Sequence, residues 1–330
     1  MVLEYAIETT TKEPTTDDGG GFTAQVIGGI ALTSWTLFAN LVLILAILRS
    51  EHRRKVSFNL HVCNLCVADL LMGVLVLPLY IDFNFHNQWV HSDTLCRIWT
   101  MADMMVNTVS ILILATMIFD RFVLFSCPDA AEGCCKFVLS SSLIVIPWVF
   151  GAVIVIPVYL IGETGVGVKE DDGLCFYNLS TTFAIVAEIA CYAVPSLVTF
   201  ALLVATSMIW CFKKEELRDM DFSDEREHKG WQVLTSWIIS LSVLGMWFPF
   251  FALDILALML DRRWPTEWVT GAIWLAYANS GLNPILWMIM PRLRQSVKAL
   301  CCCCCKRNNY DEDDYLDDET SAAMIEFSEK

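Results

Sequence analysis

The sequence predicts an all-α membrane protein, a seven-transmembrane helix bundle with a short amphipathic eighth helix. Composition says membrane: 56% of the 330 residues are apolar and 18% charged, and mean hydropathy is +0.53. A soluble domain carries about a quarter charged residues and slightly under half apolar ones. Apolar stretches of about 20 residues or more, the length that spans a hydrocarbon core ~30 Å thick, recur along the chain. The net charge of −15 repels polyanions and excludes a nucleic-acid role.

The spans run from Phe22 to Leu48, Val56 to Ile81, Cys96 to Phe125, Phe137 to Gly162, Ser180 to Phe212, Gly230 to Leu260 and Trp268 to Met290. Residues 1–21 read as a flexible extracellular segment, 22–290 as the bundle, 291–305 as an amphipathic helix with a cysteine run, and 306–330 as an acidic, disordered cytoplasmic tail. The acids Glu4, Glu8, Glu13, Asp17 and Asp18 stand where a cleavable signal peptide needs basic residues, so none is expected. Orientation follows from Lys and Arg. Arg49, Arg53, Arg54 and Lys55 follow the first span, Lys213, Lys214, Arg218, Arg226 and Lys229 follow the fifth, and Arg292, Arg294, Lys298, Lys306 and Arg307 follow the seventh. The other connections hold only Lys12, Arg97, Lys169, Arg262 and Arg263, which places the N-terminus outside and the C-terminus in the cytoplasm. The sequon Asn178-Leu179-Ser180 then falls in an outer loop, as glycosylation requires.

Cys96, at the outer mouth of span three, and Cys175, between spans four and five, lie in oxidising territory, and a disulfide between them is the economical pairing. Cys301, Cys302, Cys303, Cys304 and Cys305 follow the amphipathic stretch Pro291 to Leu300 beside basic residues. Cytoplasmic cysteines so placed are candidates for palmitoylation, with basic side chains attracting anionic lipid; unmodified thiols are the alternative.

An ionisable group inside a span costs about 3 kcal/mol or more and marks a functional hypothesis. Asp69, Asp103, Glu188 and Asp254 lie within spans, and Asp120-Arg121 closes span three. Span seven has no lysine, which excludes a retinal Schiff base there. Further residues form an ordered series: Asn40 in span one, Leu65-Cys66-Val67-Ala68-Asp69 in span two, Trp89 in the first outer loop, and Asp120-Arg121-Phe122 followed by Pro128. Trp148, Pro195, Trp247-Phe248-Pro249-Phe250 and Asn283-Pro284 continue it through spans four to seven. Over residues 22 to 300 this series resembles the rhodopsin-like (class A) G-protein-coupled receptors, and at its outer end the biogenic amine receptor group.

The resemblance implies a receptor, not an enzyme, in the plasma membrane. Asp69, Ser110, Asn279, Ser280 and Asn283 can converge on a mid-membrane polar cavity beside Trp247; oxygens around a buried carboxylate suit a small hard cation, and the resemblance implies an allosteric sodium ion. A water cluster would use the same residues. Pro195, Pro249 and Pro284 permit kinks, with span six as the moving element.

Asp103 lies seven residues past Cys96, about 10 Å below it at 1.5 Å per residue. The resemblance makes it the partner of a ligand ammonium at the floor of an outward-open cleft, with Tyr277 holding it and Trp274 one turn above. Trp247, Phe250 and Phe251 supply an aromatic wall that attracts cations. Where catecholamine receptors carry span-five serines this chain has Ala187, Glu188 and Cys191. Glu188, with Asp254 near the mouth, favours a ligand with two positive centres, such as dicationic histamine, a diamine or a basic peptide end; Glu188 facing a neighbouring helix is the alternative.

At the cytoplasmic end, the resemblance implies that Arg121 leaves Asp120 to contact a heterotrimeric G protein. Phe122 replaces a usual Tyr, Trp287 ends the Asn-Pro-x-x-Tyr motif, Leu203 replaces another Tyr, and no acid stands at Lys229. Both the inactive lock and the active latch are therefore expected to be weakened, giving either constitutive activity or poor coupling. Thr320, Ser321 and Ser328 beside acids are candidate sites for receptor kinases and arrestin, with a partnerless acidic tail as the alternative. Two other classes stand beside this reading. A class A receptor for a peptide or other non-amine ligand would reuse Asp103. A seven-helix channel or pump would need a titratable chain through Asp103, Asp69 and Asp120, which the apolar run Ile111 to Phe119 interrupts.

Overall fold

The computed structural model describes residues 19–49, 57–86, 88–127, 133–161, 166–168, 175–177, 181–219, 229–260 and 264–301. Asn178, Cys302 to Cys305 and the phosphorylation candidates of the tail lie outside them. Helix α1 is Gly19–Arg49, α2 Ser57–His86, α3 Asp93–Ser126 and α4 Gly133–Ile161. Thr181–Glu188, Ile189–Ala193 and Val194–Asp219 run on as α5, and α6 is Lys229–Leu260, α7 Thr266–Trp287 and α8 Pro291–Cys301. A short antiparallel hairpin, β1 Val166–Val168 and β2 Cys175–Tyr177, lies between α4 and α5.

Six of these helices are long and apolar enough to cross a membrane by composition alone. The exception is α7, whose Glu267, Asn279, Ser280 and Asn283 lower its hydropathy. It completes the seven-helix bundle by packing on α1 and α6. α3 is the central column, with 72% of its apolar window buried, against 28% in α4 and in α5. Apolar residues on α4 and α5 such as Val153 and Leu197 are accordingly exposed for contact with lipid.

Prolines shape the helices. In α2 a π turn covers Met72–Val76, closed by the bond from Leu77 N–H to Met72 O, and in α5 another covers Ile189–Ala193, closed by Val194 N–H to Ile189 O. Each ends two residues before a proline, Pro78 and Pro195. A proline removes the bond to the carbonyl four residues back and its ring crowds that turn, so the helix widens just upstream. After Pro284 in α7 the chain tightens instead, with Met288, Ile289 and Met290 each donating to the carbonyl three residues earlier. That tight turn redirects the chain into α8, whose Leu293 is buried against the bundle while Arg292, Arg294 and Lys298 line its polar side.

Small residues set the closest approach of helices, as they do where lipid supplies no hydrophobic drive. A Cβ on Gly151 of α4 would lie 2.6 Å from Val109 Cγ2 of α3, whereas one on Gly28 of α1 would meet nothing within 4 Å. Gly151→Ala is therefore expected to destabilise the purified receptor by about 1–3 kcal/mol through overpacking. Gly28→Ala should leave it unchanged or stabilise it by up to about 1 kcal/mol from helix propensity. Thermal melts in one detergent compare them, and equal melting temperatures would show that α3 and α4 yield freely at this contact.

Candidate functional site

The outer half of the bundle is built around α3. Ser92 caps that helix, its hydroxyl accepting from Leu95 N–H at 3.3 Å, and the chain enters it past Trp89, which stacks on Trp99 at 5.0 Å. Cys96 in the first turn is bonded to Cys175, with Cα atoms 5.7 Å apart, which ties the β1–β2 hairpin over α3. Two turns deeper Asp103 is 1% exposed. Its carboxylate accepts from Tyr277 Oη of α7 at 3.2 Å and from Asn107 Nδ2, one turn down its own helix, at 2.8 Å. Tyr277 is fixed in turn by edge-on contacts with Tyr80 at 5.1 Å and Trp247 at 6.3 Å, and Tyr80 also meets Trp274 at 5.1 Å.

A small cavity of about 10 Å³, room for roughly one water molecule, lies between α3, α5 and α6. Asn107 and Thr108 of α3, Glu188 and Cys191 of α5, and Trp247 and Phe251 of α6 are on its wall. Asp103, expected at the floor of the cleft, is not on this wall; Asn107, which donates to it, is, and the carboxyl on the wall is that of Glu188. Phe250 packs edge-on against Trp247 at 6.1 Å, and Asp254 is buried beside Glu188 within direct electrostatic reach. Glu188 therefore faces both the cavity and a neighbouring helix. Tyr192, which the sequence did not single out, stacks on Phe251 at 3.9 Å and donates to Leu244 O at 2.9 Å, joining the π turn of α5 to the proline-kinked α6. Asn107 could have been found from the sequence by its place four residues after Asp103.

In mid-membrane, Asp69 accepts from Asn283 Nδ2 at 2.9 Å and interacts with Ser280, while Asn40 Nδ2 donates to Ser280 O at 3.0 Å. Ser110 and Asn279 are buried too, Ser110 donating to Val106 O of its own helix at 2.9 Å. Asn279 Oδ1 and Asn283 Oδ1 are sealed from solvent and accept no hydrogen bond. A carboxylate with spare amide oxygens is a donor set suited to a hard cation. Among the described residues no group of three or more His, Cys, Asp or Glu has metal-binding geometry.

At the opposite end of the bundle from the disulfide, Arg121, 2% exposed, is paired with Asp120, which also accepts from Ser57 of α2 at 2.9 Å and Ser140 of α4 at 3.3 Å. Arg121 Nη1 donates to Gln232 Oε1 of α6 at 2.9 Å, and its Cζ lies 5.6 Å from the Phe58 ring centroid. Phe58 in turn meets the buried Trp287 edge-on at 6.0 Å. Phe122 instead stacks on Phe119 of its own helix at 6.3 Å, away from this cluster. Where no acid stands at Lys229, an amide three residues further along α6 reaches Arg121, and the Phe58–Trp287 aromatic pair backs it.

A membrane bundle with a capped central helix, a disulfide-tethered outer hairpin and an arginine held at the inner end of α3 defines a seven-helix receptor. The family model described as "7 transmembrane receptor (rhodopsin family)" matches residues 39–287, and the chain belongs to that family of multi-pass membrane receptors. It is 23% identical to a 5-hydroxytryptamine receptor 4 of Cavia porcellus over 79% of this chain and 74% of that one. It is 26% identical to a D(1B) dopamine receptor of Xenopus laevis, over 84% and 70% of the two chains. A histamine H2 receptor of Rattus norvegicus is also 26% identical, over 78% and 73%.

Removing the α3–α6 contact should open this end of the bundle. A hydrogen bond to a charged group contributes about 1.5–3 kcal/mol, so Gln232→Leu should raise the open fraction about tenfold or more. Phe58→Ala, which removes a cation–π contact of about 0.5–2 kcal/mol, should raise it less. Spin-label distances between the inner ends of α3 and α6 report it, and unchanged distributions in both variants would mean that neither contact holds α6.

Proposed function

We propose that this receptor takes a small cationic extracellular ligand of the biogenic amine kind in its outer cavity and activates a heterotrimeric G protein from the inner face of the plasma membrane. The observation that carries the reading is Asp103, a buried carboxylate oriented by Tyr277 and by Asn107, which itself lines the cavity. Aromatic faces and a preoriented carboxylate are what an ammonium group exchanges for its water. The names of the relatives point the same way, since each receptor in question is named for an amine. A second carboxyl on the cavity wall, Glu188, favours a ligand with two cationic centres, histamine in its dicationic form among them. The N-terminus faces outward in this reading, on the strength of the basic residues after spans one, five and seven. Palmitate on the cysteines from Cys301 onward would anchor the end of α8, a helix with basic residues on its polar side. Arrestin and receptor kinases belong to the acidic tail.

The test is a cell-based amine panel that includes histamine and diamines, read as G-protein activation. Asp103→Ala is expected to cost the active amine about 3–5 kcal/mol, the range for breaking one side of a buried ion pair, or more than a hundredfold in potency. Silence to every amine, or a response to a basic peptide that survives Asp103→Ala, would overturn it.

Sodium at Asp69, Ser110, Asn279, Ser280 and Asn283 is part of the same proposal, supported by the two amide oxygens that accept nothing. Replacing N-methylglucamine chloride by sodium chloride at equal ionic strength should raise the melting temperature of the purified receptor by a few degrees, because an ion bound only by the folded state stabilises it. Asp69→Asn should abolish the difference. A sodium effect that persists in Asp69→Asn would place the ion elsewhere.

A further inference from the structure

One face of α2, near the end of the bundle opposite the disulfide, carries Ser57, His61 and Asn64 at helical spacing. The flanking two are tied down. Ser57 donates to Asp120 of α3 at 2.9 Å, and Asn64 donates to Ile144 O and accepts from Trp148 of α4. His61 between them is 0% exposed, and neither Nδ1 nor Nε2 has a hydrogen-bond partner among the described residues. A neutral imidazole carries one N–H and one lone pair, and burying both unmet costs stability. The charged groups within electrostatic reach of it are Asp120 and Arg121 of α3. The described side chains of α4, from Val138 to Pro157, include no ionisable group. α1 has only Arg49, at its end, and α7 has none beyond Tyr277. On α2 itself the nearest are the thiols of Cys63 and Cys66.

We propose that His61 is the alternate cation for Asp120: it stays neutral while Arg121 holds that carboxylate, and takes up a solvent proton to pair with it when Arg121 swings away. Asp120 accepts from Arg121, Ser57 and Ser140, and of these only Arg121 is charged. Once it leaves, two serine hydroxyls remain around a carboxylate that is 6% exposed, and an uncompensated charge there is strongly destabilising. An imidazole with an unused lone pair, one turn along α2 from Ser57, answers that need. Protonation makes both ring nitrogens donors and supplies the missing charge. While Arg121 is in place, its positive charge opposes a second one on His61, so the two cations alternate on Asp120. The proton comes from water at the end that opens, one N–H bond forms, and the imidazolium donates to an Asp120 oxygen. Opening therefore binds one proton, and by linkage acid favours the open end by up to about tenfold per pH unit. The departure of Arg121 rests on the G-protein reading above; the alternation of His61 and Arg121 on Asp120 does not.

Two measurements on the purified full-length receptor separate these parts. Imidazole nitrogen NMR reads the charge of each of the five histidines, with His61 assigned by the signal lost in His61→Gln. Near neutral pH His61 should be uncharged in the wild type. In Arg121→Gln, which removes the competing cation, it should be an imidazolium, and adding Asp120→Asn should return it to the neutral form. Spin-label distances between the inner ends of α3 and α6 then read the coupling. Lowering the pH from about 8 to about 6 should raise the open fraction of the wild type about fivefold or more, and that of His61→Gln or His61→Phe less than about twofold. A His61 that stays neutral in Arg121→Gln overturns the proposal. So does an acid response that survives both His61 variants, since Asp120 itself would then take the proton, and so does a wild type that ignores pH although Gln232→Leu opens. If the ends stay closed in acid and in Gln232→Leu alike, the G-protein reading fails, while an imidazolium in Arg121→Gln still supports the pairing.

Discussion

A polar group inside hydrocarbon has no water to turn to, so it must find its partner on its own helix or on another. That constraint selects how these seven helices meet, because lipid chains are as apolar as leucine and give no reason for one apolar face to prefer another. The inter-helix polar contacts form a frame. Asn40 and Trp35 of α1 reach the carbonyls of Ser280 and Gly281 in α7. Asn64 of α2 accepts from Trp148 of α4 and donates to Ile144 O of the same helix. Asp120 of α3 gathers serines from α2 and α4. Each contact fixes rotation as well as distance, which apolar packing between smooth helix faces does only loosely.

The places where that frame is incomplete are informative, since buried polar atoms in native proteins are nearly always satisfied. Among them, Asn279 and Asn283 keep spare oxygens in mid-membrane, and the indole N–H of Trp287 has no acceptor at the inner end. His61, also near the inner end, has neither ring nitrogen hydrogen-bonded although it lies within reach of Asp120 and Arg121. At such places an ion or a rearranged helix could supply a missing partner.

Much of this was legible in the sequence because the relevant signals are one-dimensional. Span length, basic residues at inner ends and the compartment of each cysteine do not depend on how helices cross. The pairing of Tyr277 with Asp103 came through the family resemblance. Hydropathy by itself would have missed α7, whose functional polar residues are what disqualify it. The roles of Phe58, Gln232 and Tyr192 were not legible, since an aromatic or an amide in a span reads as ordinary packing until the crossing angle shows what it faces. The Arg121–Gln232 contact escaped for this reason: a search for a charge at Lys229 passes over a neutral amide one turn later on α6.

The same contacts indicate which helix is freest to move. α7 is held to α3 by Tyr277–Asp103, to α2 by Asn283–Asp69 and, through Phe58, to Arg121 at the inner end. Since Asp103 and Arg121 are 18 residues apart on α3, these ties extend over about 27 Å of helix. α6 is held differently. Among the described residues its polar ties to other helices include the Gln232–Arg121 bond near the inner end, Tyr192 Oη on Leu244 O, Trp237 Nε1 on Ser207 Oγ of α5, and the contact of Asp254 with Glu188 of α5. All but one of these go to α5, so α5 and α6 can shift together while a single hydrogen bond, from the Arg121 cation of α3, breaks. With Pro249 below the cavity-facing Phe251 and above that bond, a change at the cavity wall formed by Trp247 and Phe251 acts on the helix with the least to lose by moving.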